Sequence, residues 1–325
     1  MTLLSDVRFD APQPLAPGAA VLAALLRPPI DRRERFLVLL DLYDLALGPI
    51  SRTRDAASLL MSPDVTALKA DLERTWLLEL EAELPPVDLG RDAAEAIRGL
   101  AVRERLPRIY RWLSRQADGE QTRRFLALEG GPDAGFDDLV ALCQVGITGR
   151  PKQEMARNYW DEMGDGDPAD VHTTLHEVMT EVMHLPDIPI EERPTAALER
   201  SALGGLLATN RWLQPEMIGA LGLIELQAGP RCRTVLQALE RIGAPESAQR
   251  FYAVHADVDP RHGNDWMNEV VEPFCSNAPD LAERVMRGAW WRWQTNAAFF
   301  DKVSGEMMPA KARHLANPQP AEPAA

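Results

Sequence analysis

Apolar residues recur along the chain every three or four positions, which is the spacing of amphipathic helices, and no stretch shows convincing strand alternation. Asp31 can cap a helix that ends at Leu47, before Gly48-Pro49. Ser62-Pro63 can open a second helix that runs to about Glu83. The pattern therefore predicts an all-α protein, and helices of this length with short connections favour a bundle.

Gly and Pro residues divide the remaining apolar pattern into further helices. The segment 92–116 is predicted to bend or break at Pro107. The helix that carries Glu225 is predicted to end at Gly229-Pro230, so that residues 231–242 form a separate helix. The other predicted helices cover residues 120–129, 137–145, 152–162, 171–184, 195–213, 247–259, 264–274 and 278–300.

The organisation predicted from these patterns has three parts. Residues 1–90 form an N-terminal arm, with a short helix near residues 19–26, followed by accessory helices. Residues 91–302 form the main domain. Residues 303–325, which are rich in Ala and Pro, are expected to be a disordered tail.

Charge and cysteine content narrow the class of protein. The net charge of −14 over 325 residues disfavours nucleic acid and anionic membranes as partners. The three cysteines are too widely spaced for a disulfide framework or a cysteine zinc site. No apolar run reaches the length of about 18 residues that spans a bilayer. We therefore expect a soluble, cytoplasmic protein.

One short stretch, residues 255–262, concentrates metal-ligand chemistry. His255, Asp259 and His262 stand at i, i+4 and i+7, which is one face of a helix. Two imidazoles and a carboxylate suit iron and, less exclusively, zinc or manganese. Pro260 disturbs the helix between these residues, so the spacing alone leaves metal binding and ordinary surface roles open.

Other carboxylates and a histidine can complete such a site. Glu162 and His172 flank the glycine-rich break at residues 164–166, so that both side chains can converge on one point. Glu225 and Glu129 follow apolar runs, where burial of an unpaired carboxylate is costly and a cation offsets the cost. Taken alone, Glu225 or Glu129 can instead be an ordinary carboxylate that is exposed or lies at a helix end. The candidates for hydrogen-bonding the ligands are Asp161, Asp257 and Tyr159.

Three segments together resemble the heme-oxygenase-like diiron oxidases, also described as iron-containing redox enzymes. They are residues 129–133, residues 158–166 with His172, and residues 255–262, within a similarity over about residues 95–300. The resemblance implies a seven-helix bundle without heme that binds two iron ions. Its ligand set maps onto Glu129, Glu162, His172, Glu225, His255, Asp259 and His262. The spacing from Glu129 to Glu162 is longer than in the family, which puts Glu129 in question.

The resemblance also implies the chemistry. One Fe(II)/Fe(III) ion would be held mainly by Glu129, Glu162 and His172, and the other by Glu225 and the three ligands of residues 255–262. O2 would be the co-substrate, with an external reductant and a homodimer left open. The extra carboxylate at Glu162 is associated with members that N-oxygenate amines or amino acids, whereas other members desaturate, decarboxylate or cleave C–C bonds. The rivals are a metal-free helical binding protein, a heme-dependent oxygenase and a zinc or manganese hydrolase.

Overall fold

The computed structural model describes residues 29, 31–85, 92–103, 106–130 and 135–314, without the side chains of 258–260, 313 and 314. The predicted helix near residues 19–26 lies outside the described residues. Every regular element in these ranges is helical, so the all-α prediction is confirmed. The α-helices of five or more residues are α1 Arg32–Leu47, α2 Pro63–Ala82, α3 Ala93–Arg103, α4 Arg108–Arg115, α5 Gly119–Glu129, α6 Phe136–Cys143, α7 Gly149–Glu162, α8 His172–Val182, α9 Thr195–Thr209, α10 Gln214–Arg241, α11 Glu246–Asp265, α12 Glu272–Asn277, α13 Ala282–Met307 and α14 Ala310–His314. None of the described helices is both long enough and apolar enough to cross a membrane.

Local capping sets several helix ends, as the sequence predicts. Asp31 accepts a hydrogen bond from the Glu34 backbone N–H at 2.8 Å and begins α1. The Gly48 N–H bonds to the Asp44 carbonyl at its other end. Pro107 stands immediately before α4, so the predicted disturbance of segment 92–116 is a complete break. These helix ends depend only on residues a few positions away in the sequence, so the sequence pattern predicts them correctly.

The two N-terminal helices pack into the same core as the centre of the chain. Arg32 on α1 pairs with Glu199 on α9 at 2.7 Å, and Trp76 on α2 donates to the same carboxylate at 3.2 Å. The ring of Tyr43 lies against Gly205 on α9, where a Cβ would come within 2.2 Å. Helices α1 and α2 are therefore held to α9 by polar contacts as well as by apolar packing.

The predicted end of a helix at Gly229-Pro230 is wrong. Helix α10 continues through Pro230 to Arg241, and residues 231–242 are not a separate helix. Proline removes one backbone hydrogen bond from a helix. Here α10 packs along its length on α11, α13 and α4, and this tertiary packing outweighs the local break.

Helix α11 also runs further than predicted. It extends past residue 259 to Asp265 and continues as a π-helical segment at residues 266–271, in place of the separate helix predicted for 264–274. Trp266 is buried in this segment and donates its indole N–H to the Ile218 carbonyl at 3.1 Å. The wider π turn occurs where Trp266 packs inward, and the apolar pattern of the sequence does not predict such a turn.

The expectation of a disordered tail from residue 303 is wrong for residues 303–314. Helix α13 continues to Met307, and the short α14 follows. Val303 and Met308 are buried against the C-terminal half of the bundle, which explains why the chain stays helical there. Residues 315–325 lie outside the described residues.

The buried apolar residues form two clusters that meet around a cavity. The first joins α1, α2 and α3 to α9 and the N-terminal half of α10. The second joins α4 and α5 to α8, α11 and the C-terminal halves of α10 and α13. The cavity has a volume of about 120 Å³ and is lined by residues from α4 through α11 and from α13.

Candidate metal centre

The glycine-rich turn after α7 brings Glu162 and His172 together. Glu162 is the last residue of α7 and His172 the first of α8. Gly164 has φ +64°, and a Cβ there would come within 2.5 Å of the Asp170 backbone, so the turn requires glycine. His172 Nδ1 lies 2.7 Å from Glu162 Oε2, and both side chains are buried. The two side chains therefore converge, as the sequence predicts.

His255 on α11 completes a three-residue cluster with this pair. One ligand atom from each of Glu162, His172 and His255 lies within 4.8 Å of the others. The ring centroids of His172 and His255 are 4.4 Å apart. One carboxylate and two imidazoles at this separation form a donor set that suits a transition-metal ion such as iron.

The hydrogen bonding of His255 suits a ligand. Its Nδ1 lies 2.7 Å from the Phe251 carbonyl, which can only accept, so Nδ1 carries the proton and Nε2 keeps its lone pair. Burial, followed by the nearby charge of His172, lowers the pKa of His255 to about 4. By contrast, burial alone would lower the pKa of His172, but the hydrogen bond and charge of Glu162 outweigh it, and the net shift is upward.

We expect His255 to stay neutral in the metal-free protein at about pH 5.5, where an ordinary histidine is mostly protonated. Because its pKa falls from 6.5 to about 4 on folding, acid protonates it in the unfolded chain first. Between those pH values its contribution to the free energy of unfolding falls as the pH falls. Nitrogen-15 NMR of the histidine rings, assigned with a His255→Asn variant, checks this. Ring shifts that change near pH 6.5 would contradict it.

Glu225 and Asn158 form a buried pair beside the cluster. Glu225 is 3 % exposed and accepts a hydrogen bond from Asn158 Nδ2 at 2.6 Å. Burial, partly offset by the charge of His262, raises the pKa of Glu225 to about 7. A carboxylate whose charge costs so much is expected to be stabilised by a bound cation. This is the situation that the apolar run before Glu225 predicts.

His262 lies next to Glu225 and Asp161. His262 Nδ1 is 3.9 Å from Glu225 Oε2, and its Nε2 is 3.1 Å from Asp161 Oδ2. The hydrogen bond from His262 lowers the pKa of Asp161. Asp161 thus contacts a candidate ligand, whereas Asp257 is exposed and Tyr159 packs against the first apolar cluster.

The remaining candidates stand in different positions. Glu129 lines the cavity and accepts a hydrogen bond from the Tyr110 hydroxyl at 2.7 Å, but it is outside the three-residue cluster. The side chain of Asp259 lies outside the described residues. The cluster also differs from the predicted division of ligands in its histidines, because His255 groups with Glu162 and His172 and not with His262.

Several polar residues of the cavity were missed by sequence reasoning. They come from six helices and are Tyr110, Asp137, His176, Arg200, Arg231, Arg292 and Asn296. Burial, followed by Glu129, raises the pKa of Tyr110 well above its usual value. A signal was available for Arg200, which lies with Glu199 and Ser201 between the apolar residues of α9. The other residues show no spacing that points to a site.

The fold and the cluster together define an all-α protein with a buried histidine and carboxylate centre. A family model described as "iron-containing redox enzyme" matches residues 123–297, which is more than half of the chain. The chain belongs to this heme-oxygenase-like family and is an iron-dependent oxidoreductase. The match includes α7, α8, α10 and α11, which carry the cluster and its neighbours. A search of curated proteins finds no match.

Proposed function

We propose that the protein is a non-heme diiron oxidase that uses O2 to oxidise a small amine or amino acid, most simply by N-oxygenation. The observation that carries the proposal is the Glu162–His172–His255 cluster, in a chain of the iron-containing redox family. Glu225 and His262 extend this cluster with a second buried carboxylate and imidazole. Together these residues supply enough ligands for more than one metal ion.

The residue types in the cluster are ones that bind iron. Neutral imidazole and carboxylate are ligands that non-heme iron prefers, and the three-residue group contains no cysteine. Glu162, His172 and His255 would hold one ion, and Glu225 and His262 would hold a second with Asp259 and Glu129 as further predicted ligands. The iron would supply the electrons for O2 chemistry, which side chains alone do not provide.

The chain's own residues position and shield this site. The Phe251 carbonyl orients the His255 ring, Asn158 holds Glu225, and Asp161 contacts His262. Such neighbours fix the orientation of ligand side chains, and the two acceptors, the Phe251 carbonyl and Asp161, also raise the basicity of the imidazoles. Apolar side chains of Phe136, Ile224 and Phe251 line the cavity and limit the access of water.

N-oxygenation is favoured over the other oxidations by the position of Glu162. The resemblance associates a carboxylate at this point with N-oxygenating members, and Glu162 stands inside the cluster. Desaturation, decarboxylation or C–C cleavage of an aliphatic or amino acid is the alternative, with the same iron centre. Product analysis of reactions with candidate amines and carboxylic acids distinguishes them.

We expect the metal-free protein to take up about two Fe(II) ions per chain under anaerobic conditions. The physical reason is that two buried carboxylates, those of Glu162 and Glu225, lie among three candidate imidazole ligands, and a bound cation offsets the cost of burying their negative charge. Titration with Fe(II), followed by metal analysis after desalting, measures the stoichiometry. After rapid mixing with O2, visible absorption then measures the oxidation of the iron.

Other outcomes of the same titration would identify the rivals. Uptake of a single ion would exclude the diiron centre and leave a mononuclear oxidoreductase. Tight binding of heme with no Fe(II) uptake would favour a heme-dependent oxygenase. Preferential retention of Zn(II) or Mn(II) with no O2 reaction would favour a hydrolase. Absence of any metal binding would leave a helical binding protein.

A further inference from the structure

Glu129 faces the cavity from the last position of helix α5. It lines the same cavity as the three-residue cluster but lies outside that cluster. The last carbonyl groups of a helix have no partner inside the helix, so the backbone there needs contacts from elsewhere. The contacts around Glu129 come from three other helices, α4, α8 and α9.

Helices α9 and α8 hold the backbone at the end of α5. Arg200 on α9 donates from a terminal nitrogen to the Glu129 carbonyl at 3.0 Å. The same guanidinium donates its Nε to Asn296 Oδ1 on α13 at 2.9 Å, which restricts its movement. The next residue of the chain, Gly130, lies against His176 on α8, and a Cβ there would come within 2.6 Å of the imidazole Nε2. The backbone that carries Glu129 is therefore fixed in place.

Tyr110 on α4 holds the side chain of Glu129. Its hydroxyl donates to Glu129 Oε1 at 2.7 Å. Tyr110 is fully buried, and the centroid of its ring lies 5.4 Å from the ring centroids of both Phe125 and Phe300. Aromatic rings packed in this way have little freedom to turn. The hydroxyl is therefore presented to the carboxylate from a rigid position.

A carboxylate held through one oxygen can still bind a cation through the other. A carboxylate has two oxygens that accept, and the Tyr110 hydroxyl occupies a lone pair of Oε1. In metal sites the ligating carboxylates are themselves hydrogen-bonded, and these partners fix the orientation of the ligand. The contact between Tyr110 and Glu129 is of this kind, and it exists before any metal ion is bound.

A second buried tyrosine–carboxylate pair shows what a purely structural contact looks like in this protein. Tyr43 donates to Glu73 Oε1 at 3.0 Å, and the same oxygen accepts from Lys69 at 2.7 Å and from Asn210 at 2.8 Å. The Glu73 charge is compensated by a lysine, and Glu73 does not line the cavity of the cluster. Glu129 differs from Glu73 because it does line that cavity.

We propose that Tyr110 is a positioning residue for the metal centre: it holds Glu129 Oε1 so that Oε2 binds a metal ion in the cavity. Tyr110 acts through Glu129 and sets the affinity for the ion that Glu129 binds. This inference rests on the proposed function, because it requires the cavity to bind metal. It adds a residue of α4, which lies before the part of the chain that matches the family model.

Tyr110→Phe tests the proposal, because phenylalanine keeps the packed ring and removes only the hydroxyl. We expect the affinity for one of the two Fe(II) ions to fall by about tenfold or more, and the affinity for the other ion to stay unchanged. Anaerobic titration with Fe(II), followed by calorimetry, measures both affinities. Tyr43→Phe is the matched control, since it loses the same kind of hydrogen bond away from the cavity, and it is expected to bind both ions like the parent protein.

Two further measurements show whether Tyr110 acts through Glu129. In a Glu129→Ala background, Tyr110→Phe is expected to cause no additional loss of iron affinity, because the partner of the hydroxyl is already absent. Zn(II) has no visible absorption of its own, so its binding reveals changes in tyrosine absorption in the near ultraviolet. This difference signal is expected in the parent protein and in Tyr43→Phe but not in Tyr110→Phe.

The outcomes separate this inference from the proposed function. Uptake of two Fe(II) ions with equal affinities in Tyr110→Phe and the parent protein would overturn the inference alone. Equal losses in Tyr110→Phe and Tyr43→Phe, or additive losses with Glu129→Ala, would also overturn it. Uptake of a single ion whose affinity depends on both Tyr110 and Glu129 would support the inference and overturn the diiron centre. Absence of any metal uptake by the parent protein would overturn both.

Discussion

Replacement of His255 by alanine is expected to lower iron affinity and iron-dependent oxidation by at least about 100-fold. His255 supplies one of the three ligand side chains that lie within 4.8 Å of one another. Its Nδ1 is anchored on the Phe251 carbonyl, which leaves Nε2 available to bind the metal, and alanine has neither group. The remaining pair, Glu162 and His172, satisfy each other through a 2.7 Å contact and would hold a metal ion weakly.

Iron content after anaerobic reconstitution and the rate of O2 consumption measure this effect. His184→Asn is the matched control, because His184 is exposed and has φ +49°, a backbone conformation that asparagine tolerates. The control is expected to bind iron like the parent protein. A His255→Ala/His262→Ala variant extends the test to the neighbouring imidazole. Retention of full iron content in His255→Ala would remove this residue from the site.

Replacement of Gly288 by alanine is expected to destabilise the fold by about 3 kcal/mol or more, because the added methyl group has no space. A Cβ on Gly288 would lie 1.8 Å from the Glu216 carbonyl oxygen on α10. The reciprocal contact is equally close, since a Cβ on Gly219 would lie 1.8 Å from the Val285 carbonyl oxygen. Both neighbours are backbone atoms, so relief requires α10 and α13 to move apart.

Urea unfolding followed by circular dichroism measures the loss. Gly99→Ala provides the matched control, because Gly99 is exposed in α3 and a Cβ there meets nothing within 4 Å. It is expected to raise the free energy of unfolding by about 0.5–1 kcal/mol, since alanine has the higher helix propensity. Equal stability of Gly288→Ala and the parent protein would contradict the close contact between α10 and α13.

Separation of α10 and α13 would also affect the cavity. Glu225 and Arg231 lie on α10, whereas Arg292 and Asn296 lie on α13, so the spacing of the two helices sets the width between these groups. Glu216 is fully buried near the glycine contact and pairs with Arg284 at 2.7 Å and with Arg287 at 3.6 Å. These ion pairs join the same two helices, so Gly288→Ala weakens two kinds of interaction together.

Local signals in the sequence predicted the parts of the structure that depend on near neighbours. The cap at Asp31, the end of α1 before Gly48 and the break at Pro107 each involve residues within a few positions of one another. The approach of Glu162 to His172 is also local, since a connection of nine residues with a glycine turn joins them. The signals at Gly229-Pro230 and Pro260 were equally local, but packing of α10 and α11 on other helices overrode them.

The sequence by itself determined that this protein is all-α and which histidines and carboxylates are candidate ligands. Helical periodicity depends on the spacing of nearby residues, and ligand chemistry depends on the type of each residue. Only the tertiary structure decided that His255 joins Glu162 and His172, and that Arg200, Arg231 and Arg292 line the same cavity. These groups come from helices far apart in the chain. Their proximity follows from how the helices pack, and packing is a property of the whole core.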